Sequence, residues 1–203
     1  MATELVLLGT AGGPMTRETA SAPHIEPLDA LAARLRRAPS GASRFVPSFD
    51  PQGGGIDARV LVLLESPATS TVRSGAEALS SEDNPNASSR VFRAARIDSG
   101  IGRNDYVRWN IIPWATGATR TPTPDDLDLA QAALHELLGL LPGITGIVTL
   151  GTAALNGVMR YLTLHPNPVI VPVFAAPHPS PANGHRRAER YERMVNALRR
   201  ALR

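Results

Sequence analysis

The sequence predicts an α/β protein, a three-layer α/β/α sandwich built on a four-stranded, mostly parallel sheet. Three observations carry that reading. From residue 59 onward, short apolar runs alternate with stretches of helical periodicity, the pattern of βαβ units with helices on both faces of a sheet. The first run, Val60–Leu64, is apolar throughout, which suits a strand buried on both faces. A chain of 203 residues, 43% of them hydrophobic, is long enough for one domain with a sizeable core.

The elements follow in chain order. Leu5–Leu8 is a short strand candidate followed by glycines, and residues 14–27 are rich in Thr, Ala, Ser and Pro, so residues 1–27 read as an N-terminal arm ahead of a domain at 28–203. Leu28, Leu31 and Leu35 share one face of a helix expected over Leu28–Arg37, which Pro39 and Gly41 end. Residues 45–55 read as loop. After the Val60–Leu64 strand, Glu65-Ser66-Pro67 breaks the run, and residues 68–87 read as mostly loop. A helix is expected over Ser88–Asp98, then a second strand over Tyr106–Ile112, stopped by Pro113. Thr123-Pro124-Asp125-Asp126 starts a helix: Thr caps it, Pro takes the first helical position, and two acids meet the positive end of the dipole. Gly146–Leu150 is the third strand, with a helix over Thr152–Leu162 behind it. Val169–Phe174 is the fourth, and Pro172 within it argues for a sheet edge or a bulge. The last helix is expected from about His185 to Leu202.

Composition narrows the chemistry. With no cysteine there is no disulfide, thiolate-bound zinc, iron–sulfur cluster or cysteine nucleophile. All 21 basic residues are Arg, so Schiff-base chemistry and a Walker A phosphate loop, which both need an amine, are excluded. Arginine without lysine favours forked contacts to phosphate or carboxylate, and with 18 acids the formal net charge is +3. The acid in Met-Ala-Thr-Glu and the brevity of Leu5–Leu8 argue against a signal peptide, and no window approaches a membrane span, so the expectation is a cytoplasmic protein.

In open α/β sheets ligands bind beyond the carboxyl ends of the strands. Four such ends here deliver Glu65-Ser66-Pro67, Asn110, Gly151 and His178-Pro179-Ser180 to one rim: a carboxylate, a hydroxyl, a carboxamide and an imidazole. Each has a plainer use. His178 before a proline can serve a turn, Glu65 can cap one, Asn110 can brace a loop, and the C-terminal run of arginines can be a solvated helix face. Trp109 and Trp114 read as core or rim packing.

Together these segments resemble the uracil-DNA glycosylase superfamily, in its cysteine-free, glycosylase-like branch. Val46-Pro-Ser-Phe-Asp-Pro51 with Gly54-Gly55 and Val60-Leu-Val-Leu-Leu-Glu-Ser-Pro67 is similar to its first segment. Trp109-Asn110-Ile-Ile-Pro113 resembles the segment with its base-reading Asn, Leu150-Gly-Thr-Ala-Ala-Leu155 its third-strand turn, and His178-Pro-Ser-Pro181 its diagnostic tetrapeptide. Order and spacing agree over residues 28–203.

The resemblance implies a monomeric DNA-repair enzyme that flips a damaged base, uracil by default, out of DNA and hydrolyses its N-glycosidic bond without metal or organic cofactor. His178, Ser66 and Glu65 would be catalytic, with His178 donating to uracil O2. Pro67, Asp83, Asn84, Asn110 and Ser180 would bind substrate, Asn110 reading the Watson–Crick edge. Pro179, Asn183, His185, Arg186 and Arg187 would meet the DNA backbone. Three departures stand out. Ser66 replaces the Asp that serves as water-activating base in the best-known branch, which leaves leaving-group stabilisation, or Asp83 or Glu65 from nearby, to supply the catalysis. No aromatic lies between Pro67 and Val91 to stack on the base. Ala182-Asn183 replaces the intercalating Leu. Two rivals remain: a non-catalytic nucleic-acid binder on the same fold, and an ester or amide hydrolase using Ser66 with His178, which lacks a Gly-x-Ser-x-Gly elbow.

Overall fold

The computed structural model describes residues 22–117, 121–180 and 186–203. Helix α1 spans Glu26–Leu35 and strand β1 is only Ser48–Phe49. Strand β2, Val60–Leu64, leads to the short helix α2, Thr69–Arg73, strand β3, Leu79–Ser80, and helix α3, Ala87–Ser99. Then come β4 (Tyr106–Asn110), α4 (Pro124–Gly139), β5 (Gly146–Leu150), α5 (Thr152–Leu164), β6 (Val173–Ala176) and α6 (Arg187–Ala201).

The main sheet has the order β4-β2-β5-β6, and every pairing in it is parallel. The expected α/β/α sandwich with four strands is therefore the fold. Strand alternation sorts the two cores. Leu61 and Leu63 of β2, Val107 and Trp109 of β4 and Ile147 of β5 pack with α1, α4 and α5. Val60, Val62 and Leu64, with Tyr106, Val148 and Leu150, pack with α3 and α6. Burial on both faces is what made the strand runs apolar throughout.

The helix starts bear out their chemistry. Thr123 Oγ1 accepts from the Asp126 N–H, and Asp126 accepts from the Thr123 N–H at 2.8 Å, a reciprocal cap at the head of α4. Gly100 closes α3 in the left-handed conformation, φ 83°.

Several boundaries move, for physical reasons. The fourth strand begins at Val173 rather than Val169. Pro172 has no N–H for the ladder, and only its carbonyl is used, accepting from Ile147 N–H at 2.9 Å. That strand is the sheet edge, as Pro172 implied. The second strand ends at Asn110 rather than Ile112, although the Ile111 and Ile112 N–H groups still reach Leu64 and Glu65 carbonyls at 2.8 and 3.0 Å. Residues 45–55 and 68–87 are not all loop: β1 pairs in parallel with β3 in a separate two-stranded sheet. The packed body also starts before 28, since Ile25 is buried and the Ile56 N–H donates to the His24 carbonyl at 2.9 Å. The strand expected at Leu5–Leu8, with the rest of the arm to residue 21, lies outside the described residues.

Chain direction reverses at one place in the sheet. From β2 the chain crosses to β4 by way of α3 on one face; from β5 it crosses to β6 by way of α5 on the other. The carboxyl ends of the adjacent strands β2 and β5 thus flank a crevice, the place where such sheets hold ligands.

Candidate functional site

Beyond the carboxyl end of β2 lies a cavity of about 140 Å³. That is the scale of a single heterocycle, well under the few hundred Å³ of a drug-sized pocket. Leu64, Ser66 and Pro67 line it from the β2 turn, Arg108 and Asn110 from β4, and His178 from the segment after β6. Asn84, Asn86 and Ser88 approach from the loop into α3, and Pro47 from the segment before β1. A wider cavity of about 420 Å³ shares Ser66, Pro67 and His178 and adds Glu65, Thr69, Ala115 and Ser180. Three of the four strand ends named from sequence therefore meet at one place. The fourth, Gly151, lies behind His178 and borders a separate open cavity.

The hydrogen-bond ladder sets these positions. Leu64 pairs with Asn110 in register, and the Ile111 and Ile112 N–H bonds extend that pairing to Glu65. The Ser66 turn is thereby fixed beside the end of β4. Asn110 is 8% exposed, and its carboxamide makes no hydrogen bond among the described residues. Asn110 lines the cavity, so a carboxamide not engaged by the described residues is open to a molecule bound there.

His178 is fixed at both ends. Its Nδ1 accepts the Ser180 N–H at 3.1 Å, and its carbonyl accepts from Arg190 Nη2 of α6 at 2.9 Å. An Nδ1 that accepts leaves the hydrogen on Nε2, so the neutral ring is a donor there. Burial holds the imidazole below its ordinary pKa, with the charges of Arg108 and Arg190 adding to the effect. Behind the ring, Gly151 adopts φ 101°, and a Cβ at that position would lie 3.1 Å from His178 Cβ. Glu65 lies on the wider side, and partial burial raises its carboxyl pKa.

The other expected residues are spread more widely. Asn84 does line the small cavity, with its Nδ2 donating to the Leu79 carbonyl at 2.9 Å. Asp83 does not. It is bound by Arg103 at 2.6 Å and Arg93 at 3.3 Å, and the Arg103 hydrogen bond holds its carboxyl below the usual range. A carboxylate so engaged is poorly disposed to activate water. Pro179 is buried, and Ser180 borders the wider cavity. Arg187 borders an apolar groove between α3 and α6 that also reaches His178. Arg186 is exposed, paired with Glu189 at 3.4 Å, and holds φ 53° at the head of α6. Asn183 and His185 lie outside the described residues.

Some site residues were not read from the sequence. Pro47, Thr71, Ser80 and Asn86 come from segments taken as loop. Arg190 was read as part of a solvated run and instead anchors the His178 carbonyl. Arg108 had a usable signal: two residues before Asn110 on one strand, it shares that residue's face. The tryptophans are packing groups as expected. Trp109 stacks on Phe49 with ring centres 3.7 Å apart, and Trp114 lies under the Arg44 guanidinium at 3.6 Å. No Phe, Tyr or Trp lines the small cavity.

No helix among the described residues is long and apolar enough to cross a membrane. No curated protein matches the chain. The model of one family, the uracil DNA glycosylase superfamily, matches residues 51–202. That span takes in all four strands of the main sheet and every residue lining the small cavity except Pro47. With three quarters of its length and its whole strand-end rim inside the match, the chain belongs to the uracil DNA glycosylase superfamily.

Proposed function

We propose that this protein hydrolyses the N-glycosidic bond of a damaged base flipped out of DNA, with uracil as the default substrate. The observation that carries the reading is the Asn110 carboxamide, unpartnered among the described residues in a cavity sized for one heterocycle, beside a histidine whose free ring nitrogen is a donor.

The chemistry follows from those two groups. A carboxamide offers one acceptor and two donors, which match the N3–H and a flanking keto oxygen of uracil. Cytosine presents the inverse pattern at that edge, an N3 acceptor and an amino donor, and pairs only with the amide turned over. As the glycosidic bond breaks, negative charge builds on the base. The Nε2–H of His178, held by Ser180 and Arg190, stabilises that charge more in the transition state than in the ground state. A neutral ring suits the role, because a donor is needed and no proton has to move. Ser66 and Glu65 line the wider cavity, and in this reading water attacks the sugar from there. Ser66 is no general base at neutral pH without a partner, and Glu65, its pKa raised by burial, is the better candidate to take the water's proton. Arg187, which borders the groove that reaches His178, and the exposed Arg186 beside it in sequence suit DNA phosphates.

The Ser66–His178 hydrolase reading draws less support. His178 Nδ1 is engaged by Ser180, and no hydrogen bond joins Ser66 to the ring among the described residues. The deciding experiment is single-turnover incubation with oligonucleotides carrying uracil, hypoxanthine, xanthine or a thymine mismatch, then alkaline cleavage. Abasic sites from at least one lesion are expected. Binding without any abasic site would leave a non-catalytic binder, and labelling of Ser66 by a fluorophosphonate would favour the hydrolase.

A further inference from the structure

One charged group lines the small cavity without a role in the account above. Arg108 is buried in β4, 9% exposed. It lies one pleat inward from Asn110 on the same strand face, about 7 Å along the strand. Its Nη1 donates to the Ser81 carbonyl at 2.5 Å and to Ser89 Oγ at 3.0 Å. Its Nε is buried with no hydrogen-bond partner, and no carboxylate forms an ion pair with it among the described residues. The neighbouring buried carboxylate, Glu82, is taken by Arg96 at 2.8 Å and by the Tyr106 hydroxyl at 2.9 Å. The charges of Glu82 and Asp50 and the Phe92 ring, 5.4 Å from the guanidinium, act on it without a direct ion pair, and a buried charge without one is unfavourable unless something else offsets it. Burial lowers its pKa to about 10, which still leaves it cationic at neutral pH.

We propose that Arg108 contacts the flipped base and carries the negative charge with which that base departs. The proposal rests on the glycosidic-cleavage reading and assigns the leaving group a second stabiliser beyond His178. In the reaction the bond from the sugar C1′ to the base nitrogen breaks, and its electron pair passes to that nitrogen and spreads onto the keto oxygens of the ring. The oxygen of water bonds to C1′, and its proton goes to Glu65 or to solvent. The base anion takes a proton from solvent after release. A guanidinium at the inner end of the cavity is matched to a keto oxygen there and opposed to an amino group. The substrate class is therefore a base rich in keto oxygens that leaves as a delocalised anion. A fixed cation of this kind acts where the chain lacks both an aspartate at Ser66 and an aromatic against the base.

The test compares leaving groups. Wild type, Arg108→Met and Arg108→Lys are assayed in single turnover on oligonucleotides carrying deoxyuridine or 5-fluorodeoxyuridine, whose base is the more acidic. Arg108→Met should slow uracil release on the order of a hundredfold, the usual cost of one lost oxyanion donor, and slow 5-fluorouracil release much less. Arg108→Lys keeps the charge and should keep the wild-type dependence on leaving group. Arg108→Met also leaves the Ser81 carbonyl and the buried Ser89 hydroxyl without its hydrogen bonds, so both rates are measured well below its melting temperature. A structural brace would slow both substrates equally, which overturns the proposal. A second arm needs neither catalysis nor a variant: wild-type protein should bind free 5-fluorouracil more tightly as pH rises through that base's own ionisation. Binding that weakens or stays constant there also overturns it. If the wild type cleaves nothing yet binds the base anion in this way and Arg108→Met does not, glycosidic hydrolysis fails while the charge assignment to Arg108 stands.

Discussion

A single methyl group placed behind His178 would test how tightly the site is held. Gly151 joins β5 to α5 with φ 101° and ψ 167°, a conformation all but restricted to glycine. Gly151→Ala carries two penalties. The backbone strain amounts to about 1–3 kcal/mol. In a domain of this size each kcal/mol lowers Tm by about 2–4 °C, so a drop of roughly 2–12 °C is expected. The second penalty is steric. The new Cβ would lie 3.1 Å from His178 Cβ, closer than ordinary contact by a few tenths of an ångström, and 3.6 Å from Cδ2, an ordinary contact. The Gly151 side cannot yield freely, because its N–H is bonded to the Ala176 carbonyl at 2.9 Å, so the imidazole moves. A displacement of 1 Å costs about a hundredfold in rate, and a few tenths corresponds to roughly a few-fold to tenfold. The assay is single-turnover base release well below the melting temperature, with thermal melting of the same sample. Gly139→Ala is the control: it has open space around the added carbon and should keep the wild-type rate. A Gly151→Ala protein that melts lower but cleaves as fast as wild type would show that the placement of His178 does not set the rate.

Four further outcomes follow from the same geometry. His178→Ala should cost about 10²–10³ in single-turnover rate and Ser66→Ala distinctly less, with both proteins folded and binding DNA; the reverse order would place the main burden on water positioning. The rate should be flat near neutral pH and fall only on the acid side, below the ordinary imidazole value of 6.5, because burial lowers the His178 pKa while protonation of Nδ1 breaks its bond to Ser180. Glu65 adds to that acid limb, since its pKa is raised and it accepts protons earlier than an ordinary carboxylate; Glu65→Gln should lower the rate and narrow the limb, and an unchanged profile would remove it from the chemistry. Arg186→Ala combined with Arg187→Ala should reduce the slope of log affinity against log salt by up to about two, at roughly 0.9 per lost duplex contact, and an unchanged slope would take this stretch out of the interface.

What was legible in the sequence follows the range of the interactions. Val60–Leu64 was readable because a strand buried on both faces leaves an unbroken apolar run, and the head of α4 because Thr123, Pro124 and Asp126 act within one turn. Asn110 and His178 were readable as polar residues at the ends of such runs, where the sheet rim collects them. The two-residue strands β1 and β3 were not, since pairing Ser48 with Leu79 depends on distant partners and leaves no periodicity. The loop into α3 was opaque for the same reason. Its shape is set by a network of ion pairs that joins Asp50, Arg103, Asp83, Glu82 and Arg96, and Asp83 is held outside the cavity while Asn84 lines it. Arg190 shows a different limit: a charge in a basic helix looks solvated until the loop it anchors is in place.

Asn110 is the proposed reader of the flipped base, and one substitution tests that role directly. Asn110→Asp keeps the side chain's shape, removes its donors and sets a carboxylate against a keto oxygen. The measurement is single-turnover uracil release by wild type and Asn110→Asp, with affinity for duplex carrying an abasic site measured on the same preparations. Release should fall by two orders of magnitude or more, about the cost of one lost hydrogen bond made worse by like-charge repulsion, while abasic-site affinity stays within a few-fold of wild type. Uracil release at the wild-type rate by Asn110→Asp would contradict the account and return Asn110 to the role of a strand-end brace.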